Sequence, residues 1–373
     1  MVMRDKSSTD LTRGGMLDVL RFLAAAFIVV FHFGQEAPVA LVSVNEFFGR
    51  GYLATDFFLL LSGFILARVH GGRVMSGRIT TAQFLIRRLL RIYPAHLITL
   101  AVTVAVVLGA ELIGLDIVYP ERFAWSALPA HLLLVHGWGF TPLTWNFPTW
   151  SLSALAVCYA SFPWVWRQLR AVDQPVACLG VILVVVVGAE MVAYVLMGQS
   201  GLSLPGVEGG LLRAVPLFVA GLALARLVEI SRPATGLANA IAACGAVVFV
   251  LSAVLHGPDI VDVLATMATV YGLGAGGIRR AWPAAAWAAQ ISFSLFITHI
   301  PASLIYFRGL SPMLTSLYPG VAAQWTIWAG ASLFALAVAA AFHHRVDQPI
   351  QRWLRAARFN SGPATASASA GNV

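Results

Sequence analysis

The stretch LDVLRFLAAAFIVVFHFG, residues 17–34, decides the fold class. It is apolar along nearly its whole length, and its two notable interruptions are Arg21 and His32. Eleven helical steps of 100° bring those two side chains back to within about 20° of each other. They share one face. A rise of 1.5 Å per residue separates them by about 16 Å along the axis, roughly half the hydrocarbon thickness of a bilayer. A cation near one surface and an imidazole deep in the apolar layer suit a protein that acts on a ligand entering from one side.

Similar apolar runs recur along the chain. Its 373 residues are 59% hydrophobic and 11% charged, where a soluble domain carries about 25% charge. The pattern predicts an all-α polytopic membrane bundle of about ten spans. They fall at roughly 17–36, 51–70, 92–113, 148–166, 175–197, 211–228, 236–255, 260–278, 287–306 and 324–342. Of 24 Lys and Arg residues, only Arg50, Arg122, Arg213 and Arg308 fall on one side, leaving 20 on the other. That asymmetry is the positive-inside bias and predicts cytoplasmic N- and C-termini. The net charge of +8 is therefore topology, with anionic lipid as partner and no role for nucleic acid.

The expected organisation is a cytoplasmic segment 1–16, one transmembrane domain over 17–358 and a disordered cytoplasmic tail over 359–373, rich in small polar residues. The first run is too long for a cleaved signal peptide and lacks a small-residue cleavage site. Cys158, Cys178 and Cys244 fall inside spans and read as small core residues, with no disulfide framework. No metal site is expected.

Between Glu111 and Trp150 lies SALPAHLLLVHGW, too short to span, followed by GFTPLTWNFPTW. A half-inserted helix and a structured outer loop are expected, tolerated where protein buries them or a cavity hydrates them. Trp138, Trp145, Phe147 and Trp150 read as interfacial anchors or as a sugar-stacking platform.

Ionisable groups inside spans are costly and mark function by default. His32 and Asp56 sit four to five residues from the outer ends of adjacent antiparallel spans, at similar depth. A carboxylate beside an imidazole would orient the ring and raise its basicity. His299 also lies in the outer half of its span. A hydrogen-bonded core histidine, or a structural carboxylate pair, is the plain alternative for each. In FLIRRLLRIYP, Arg88 and Arg91 are three apart and share a face at the inner start of the third span. Guanidinium groups suit phosphates, although inner arginines also serve topology. Arg87 points elsewhere.

These residues resemble the acyltransferase-3 family of membrane O-acyltransferases. LDVLRFLAAAFIVVFHF resembles its first helix, with the Arg/Lys-x10-His motif on Arg21 and His32. GYLATDFFLLLSGFILA resembles its second-helix signature, covering Asp56, Phe58, Ser62 and Gly63. FLIRRLLRIYP is similar to its Arg-x-x-Arg motif, on Arg88 and Arg91. NFPTWSLSALAVCYASFP resembles its Trp-Ser-Leu-Ser segment at Trp150 to Ser153. ISFSLFITHIP and VDQPIQRWL resemble its late His-x-Pro and acidic-x-Pro motifs, on His299 and on Asp347 and Pro349. The likeness runs from Leu17 to about Leu354. Two departures stand out: Leu155 and Ala156 occupy places where many members carry Glu, and His131 stands where related chains often have Asn.

The resemblance implies transfer of an acyl group, usually acetyl from acetyl-CoA, to a hydroxyl of a sugar or polysaccharide acceptor, free or lipid-linked, at a bacterial inner membrane. The implied catalytic set is His32, Asp56 and Arg21. Arg88, Arg91 and Arg21 would bind the donor, and Trp150, Ser153 and His299 the acceptor. His32 would act as general base or transient acyl carrier, with Ser62 offering a hydrogen bond to the oxyanion. Two other readings stay open. A transporter would also place charge within spans, though it tends to show repeated halves. A catalytically inactive scaffold of a polysaccharide machine would suit the missing Glu.

Overall fold

The computed structural model describes residues 15–142, 144–203, 209–276 and 282–360. Most of segment 1–16 and of the tail from 359, with Arg279 and Arg280, lies outside the described residues. Among those described there is no strand. Ten helices have 18 residues or more: α1 (Met16–Phe33), α2 (Leu53–Met75), α3 (Thr81–Leu112), α4 (Trp150–Arg170), α5 (Pro175–Met197), α6 (Gly210–Ser231), α7 (Thr235–Val254), α8 (Asp259–Gly276), α9 (Pro283–Ser303) and α10 (Val321–Phe342).

Eight of these are long and apolar enough to cross a membrane. The exceptions are α4, with three serines and Arg167 and Arg170, and α8, with Asp259 and Asp262 in its first turn. Both pack among the other eight, and polar groups find protein partners there: Asp259 and Asp262 meet Arg50, and Arg170 meets Glu229. The chain is therefore an all-α polytopic membrane bundle.

Burial sorts the helices into two layers. Over their most apolar windows, α2, α6 and α9 are 61–67% buried and form the centre, whereas α5, α7 and α10 are only 17–22% buried. The outer helices present Leu183, Val184, Val195 and Leu333 outward, a surface suited to lipid. Cys158 and Cys178 are buried as expected, but Cys244 of α7 faces outward. The central crossing of α2 and α6 depends on small residues. A Cβ on Gly63 would lie 2.1 Å from the Phe218 carbonyl oxygen, and one on Gly221 would lie 2.0 Å from that of Leu60. Only glycine permits so close a backbone approach.

Helix α3 starts eleven residues earlier than its apolar run suggests. Thr80 caps it: its hydroxyl accepts from the Gln83 N–H at 3.2 Å, and the Gln83 side chain accepts from the Thr80 N–H at 3.2 Å. Arg88 and Arg91 therefore sit well inside the helix. Two prolines tie the bundle together. Pro94 removes the backbone donor to the Leu90 carbonyl, and the Gln351 amide donates to that oxygen at 3.1 Å. Pro301 likewise frees the Ile297 carbonyl, and Asn146 donates to it at 2.8 Å. The first bond docks the C-terminal segment Gln348–Asn360 onto α3. The second pins the outer loop onto α9.

That outer loop, between α3 and α4, is mostly irregular. In place of a half-inserted helix it holds one five-residue helix, Leu128–Leu132, and three single 3₁₀ turns.

Candidate active site

His32 stands in the last turn of α1, and α9 brings His299 to it across 267 residues of sequence. His32 Nδ1 lies 3.0 Å from His299 Nε2, and the rings are nearly parallel with centroids 5.0 Å apart. His299 Nδ1 lies 2.6 Å from the Phe296 carbonyl oxygen. A carbonyl only accepts, so in the neutral pair Nδ1 of His299 carries its proton and Nε2 holds a lone pair. His32 Nδ1–H then donates to that lone pair, which leaves Nε2 of His32 as the free basic nitrogen. His299 is fully buried, and His32 is partly buried. Phe147, held in place by Asn146, meets the His32 ring edge-on with centroids 5.1 Å apart. Arg122 lies over the far side of Phe147, 5.9 Å from its centroid.

A cavity of about 230 Å³ runs between α1, α2, α3, α4 and α9. Arg21, Arg88 and Arg91 all line it, so the three arginines singled out by spacing meet at one space. Arg87 is exposed. Arg88 donates to the His70 imidazole. Arg91 donates to Asp347 at 2.7 Å and stacks over Phe293 at 4.7 Å. A π-helical stretch, His343–Asp347, presents that carboxylate. Arg21 lies 3.4 Å from Asp18. Phe58 and Phe296 also line the cavity with centroids 6.2 Å apart, and Phe296 is 6.2 Å from the His299 ring. The arginines line this space and the histidine pair does not; Phe296 stands between the cavity and the His299 ring. Leu155 forms part of the apolar wall, where related chains were expected to carry Glu.

Asp56 does not join the histidines. It lies at the expected depth, in the first turn of α2, but faces α6. Arg213 holds it through two bonds, Nε to Oδ1 at 2.6 Å and Nη2 to Oδ2 at 2.8 Å, both groups buried. Arg213 also stacks over Tyr52 at 5.1 Å, whose hydroxyl donates to Asp259 at 2.7 Å. The orienting partner expected for His32 is therefore His299, and Asp56 belongs to an ion pair that locks α2 to α6. Ser62 donates to the Phe58 carbonyl at 2.7 Å within its own helix. Ser153 and Trp150 are buried away from the histidine pair. Ser153 donates to the Leu134 carbonyl at 2.7 Å and accepts from the Gly137 N–H at 3.1 Å. Trp150 packs on Gly137 and Gly210. Both fasten the outer loop to α4. Of the tryptophans read as a platform, Trp145 is buried against Trp125 and Trp138 is exposed.

Sequence reading missed Arg213, taken as an outer topological charge. Its place within a span was the available signal, because a buried Asp and a buried Arg each need a partner. It also missed His70 and Asp347 as partners of Arg88 and Arg91. It passed over His96 and His136, which cluster with His131 in the loop.

An acyltransferase domain family profile matches residues 16–344. Protein 2 in the picA locus of Rhizobium radiobacter is 31% identical over 189 residues, covering 47% of this chain and 93% of that protein. Acyltransferase MdmB of Streptomyces mycarofaciens is 30% identical over 163 residues, covering 41% of this chain and 39% of that protein. No solved structure matches. With a match over most of its length, the chain belongs to the acyltransferase-3 family and is a multi-pass membrane acyltransferase.

Proposed function

We propose that this enzyme moves an acyl group, acetyl in the simplest case, from cytoplasmic acetyl-CoA to a hydroxyl of a sugar or polysaccharide acceptor at a bacterial inner membrane. The observation that carries the reading is the His299–His32 relay, which leaves a basic nitrogen free, one aromatic ring, Phe296, separating His299 from the arginine-lined cavity. Arg88 and Arg91 receive the donor's phosphates, with Arg21 facing them. The cavity is smaller than the ~300–1,000 Å³ typical of pockets that enclose a drug-sized ligand. It suits a pantetheine arm, with the nucleotide left at the arginine mouth. Rotation of Phe58 and Phe296 lets the thioester reach His32.

The acceptor approaches Nε2 of His32 past Phe147 and Arg122. Its oxygen attacks the thioester carbon while Nε2 of His32 takes the hydroxyl proton. The C–S bond breaks, and the leaving thiolate recovers that proton from the imidazolium. His299 keeps His32 in the tautomer the step needs and shares the charge that develops on it.

The test compares envelope glycans by mass spectrometry with the gene present, deleted, and restored as His32→Ala, beside thiol release by the purified protein. A loss of one acetyl mass per acceptor on deletion, not restored by a normally inserted His32→Ala chain, is the expected result. Glycans of equal mass in all three strains would overturn the acceptor class. Leu155 at the acidic position favours a second reading, an inactive scaffold. Deletion that removes glycan acetylation, with His32→Ala restoring it, would establish that reading.

A further inference from the structure

Three buried histidines outside the proposed chemistry cluster together: His96 on α3, and His131 and His136 in the outer loop. One nitrogen from each ring lies within 4.8 Å of the other two. The rings are stacked, with centroids 3.9 Å apart for His131 and His136 and 5.3 Å apart for His96 and His136.

Their hydrogen bonds set all three tautomers alike. His96 Nε2 donates to the His131 carbonyl at 2.9 Å. His131 Nε2 is 2.9 Å from the Thr144 hydroxyl, whose proton goes to the Pro142 carbonyl at 3.3 Å. His136 Nε2 is 3.1 Å from the Thr149 hydroxyl, whose proton goes to the Asn146 carbonyl at 2.7 Å. Each hydroxyl therefore accepts from its imidazole, and every Nε2 in the trio carries a proton. Every Nδ1 then holds an in-plane lone pair. All three Nδ1 atoms are buried and have no hydrogen-bond partner.

Three buried acceptors without a donor carry a large desolvation cost unless something satisfies them. A metal-bound imidazole characteristically donates its other N–H to a carbonyl or hydroxyl that fixes its orientation. All three rings meet that requirement.

We propose that His96, His131 and His136 form a three-imidazole site for a divalent transition metal, with zinc the first candidate, bound through the Nδ1 atoms. Imidazole nitrogens suit zinc at about 2.0–2.1 Å in tetrahedral geometry, which places ligand nitrogens about 3.3 Å apart. The rings are now nearly parallel, so binding turns them until their in-plane lone pairs converge, and it leaves a fourth position for water. His96 belongs to a membrane helix and the other two to the loop that carries Asn146 and Phe147. The ion would therefore clamp to α3 the loop that walls the His32 site. No metal was expected from sequence. His131 and His136 are spaced H-x4-H, within the range seen at zinc sites, but the third ligand is 35 residues upstream on another element.

The full chain is purified in detergent without a metal-affinity step, and its metal content is measured before and after saturation with Zn²⁺ followed by buffer exchange. Cobalt substitution is followed by visible absorption, and Zn²⁺ affinity by competition with a chromophoric chelator. One zinc per chain and a nitrogen-ligated tetrahedral cobalt spectrum are expected. His131→Ala and His136→Ala should weaken binding at least about ten-fold, while His256→Ala leaves it unchanged. Folded wild-type protein that retains no zinc after saturation would overturn the site, whatever the variants do. So would a cobalt spectrum dominated by thiolate charge transfer, which would place the ion at a cysteine. If a histidine variant fails to fold, the wild-type stoichiometry and cobalt spectrum decide the question.

Discussion

A carboxylate and a guanidinium buried together behave as one unit, and Asp56 with Arg213 is such a unit. Removing one member leaves an uncompensated charge, at a cost of roughly 3–5 kcal/mol. Asp56→Leu should therefore lower the melting temperature in detergent, while the protein that remains folded keeps its activity. Replacing both members, Asp56→Leu with Arg213→Met, should recover much of the loss. A single Asp56→Leu variant with normal melting and no turnover would contradict this and return Asp56 to the chemistry. His299→Phe should do the opposite. It fills the same space but offers no lone pair to His32, so turnover should fall by about ten-fold or more with little change in melting or in acceptor KM. Both residues lie near the outer ends of their helices, yet one pairs across the α2–α6 crossing and the other meets the His32 ring.

The capped helix α3 carries two of the three arginines of the cavity. It holds Arg88 and Arg91 on the cavity face and Arg87 on the exposed face. Arg91 is already paired with a carboxylate, whereas Arg88 donates to an imidazole. The expected order of effects on the KM for acetyl-CoA is therefore Arg88→Ala, then Arg91→Ala, then Arg87→Ala, with kcat much less affected. Donor titration on purified protein checks the order, and equal behaviour of all three would reduce these arginines to topological charges. This grouping was legible in the sequence, because a spacing of three puts two side chains on one face. The early start of the helix was not. It comes from the Thr80–Gln83 cap, which lies outside the apolar run that marks the span. Pro94 and Pro301 were visible as breaks in backbone bonding. That Gln351 and Asn146 would satisfy the freed carbonyls followed only from the packing.

At the scale of the whole bundle, ten long helices return the chain to the side where it started. Arg21 near the start of α1, Arg91 on α3 and Asp347 after α10 all meet on that side. The excess of basic residues there predicts that it faces the cytoplasm. A reporter fused at Ser76 should give an inside signal and one at Asp116 an outside signal. The reverse pattern would exchange the sides from which donor and acceptor enter.

The sequence alone determined the class of fold, the positions of the ten long helices to within several residues apart from the start of α3, and which side chains share a face or a depth. Hydrophobic periodicity carries all of that, because it reports angle about a helix axis and distance along it. Which helix each face meets was decided only in three dimensions. His32 meets His299 across 267 residues, and Asp56 meets Arg213 across 157. His96 reaches the loop histidines from a different element. Helix order around the bundle follows from close approach at small residues, as where Gly63 and Gly221 let α2 and α6 touch. A partner's direction is therefore a property of the packing, and the pattern of a single helix does not contain it.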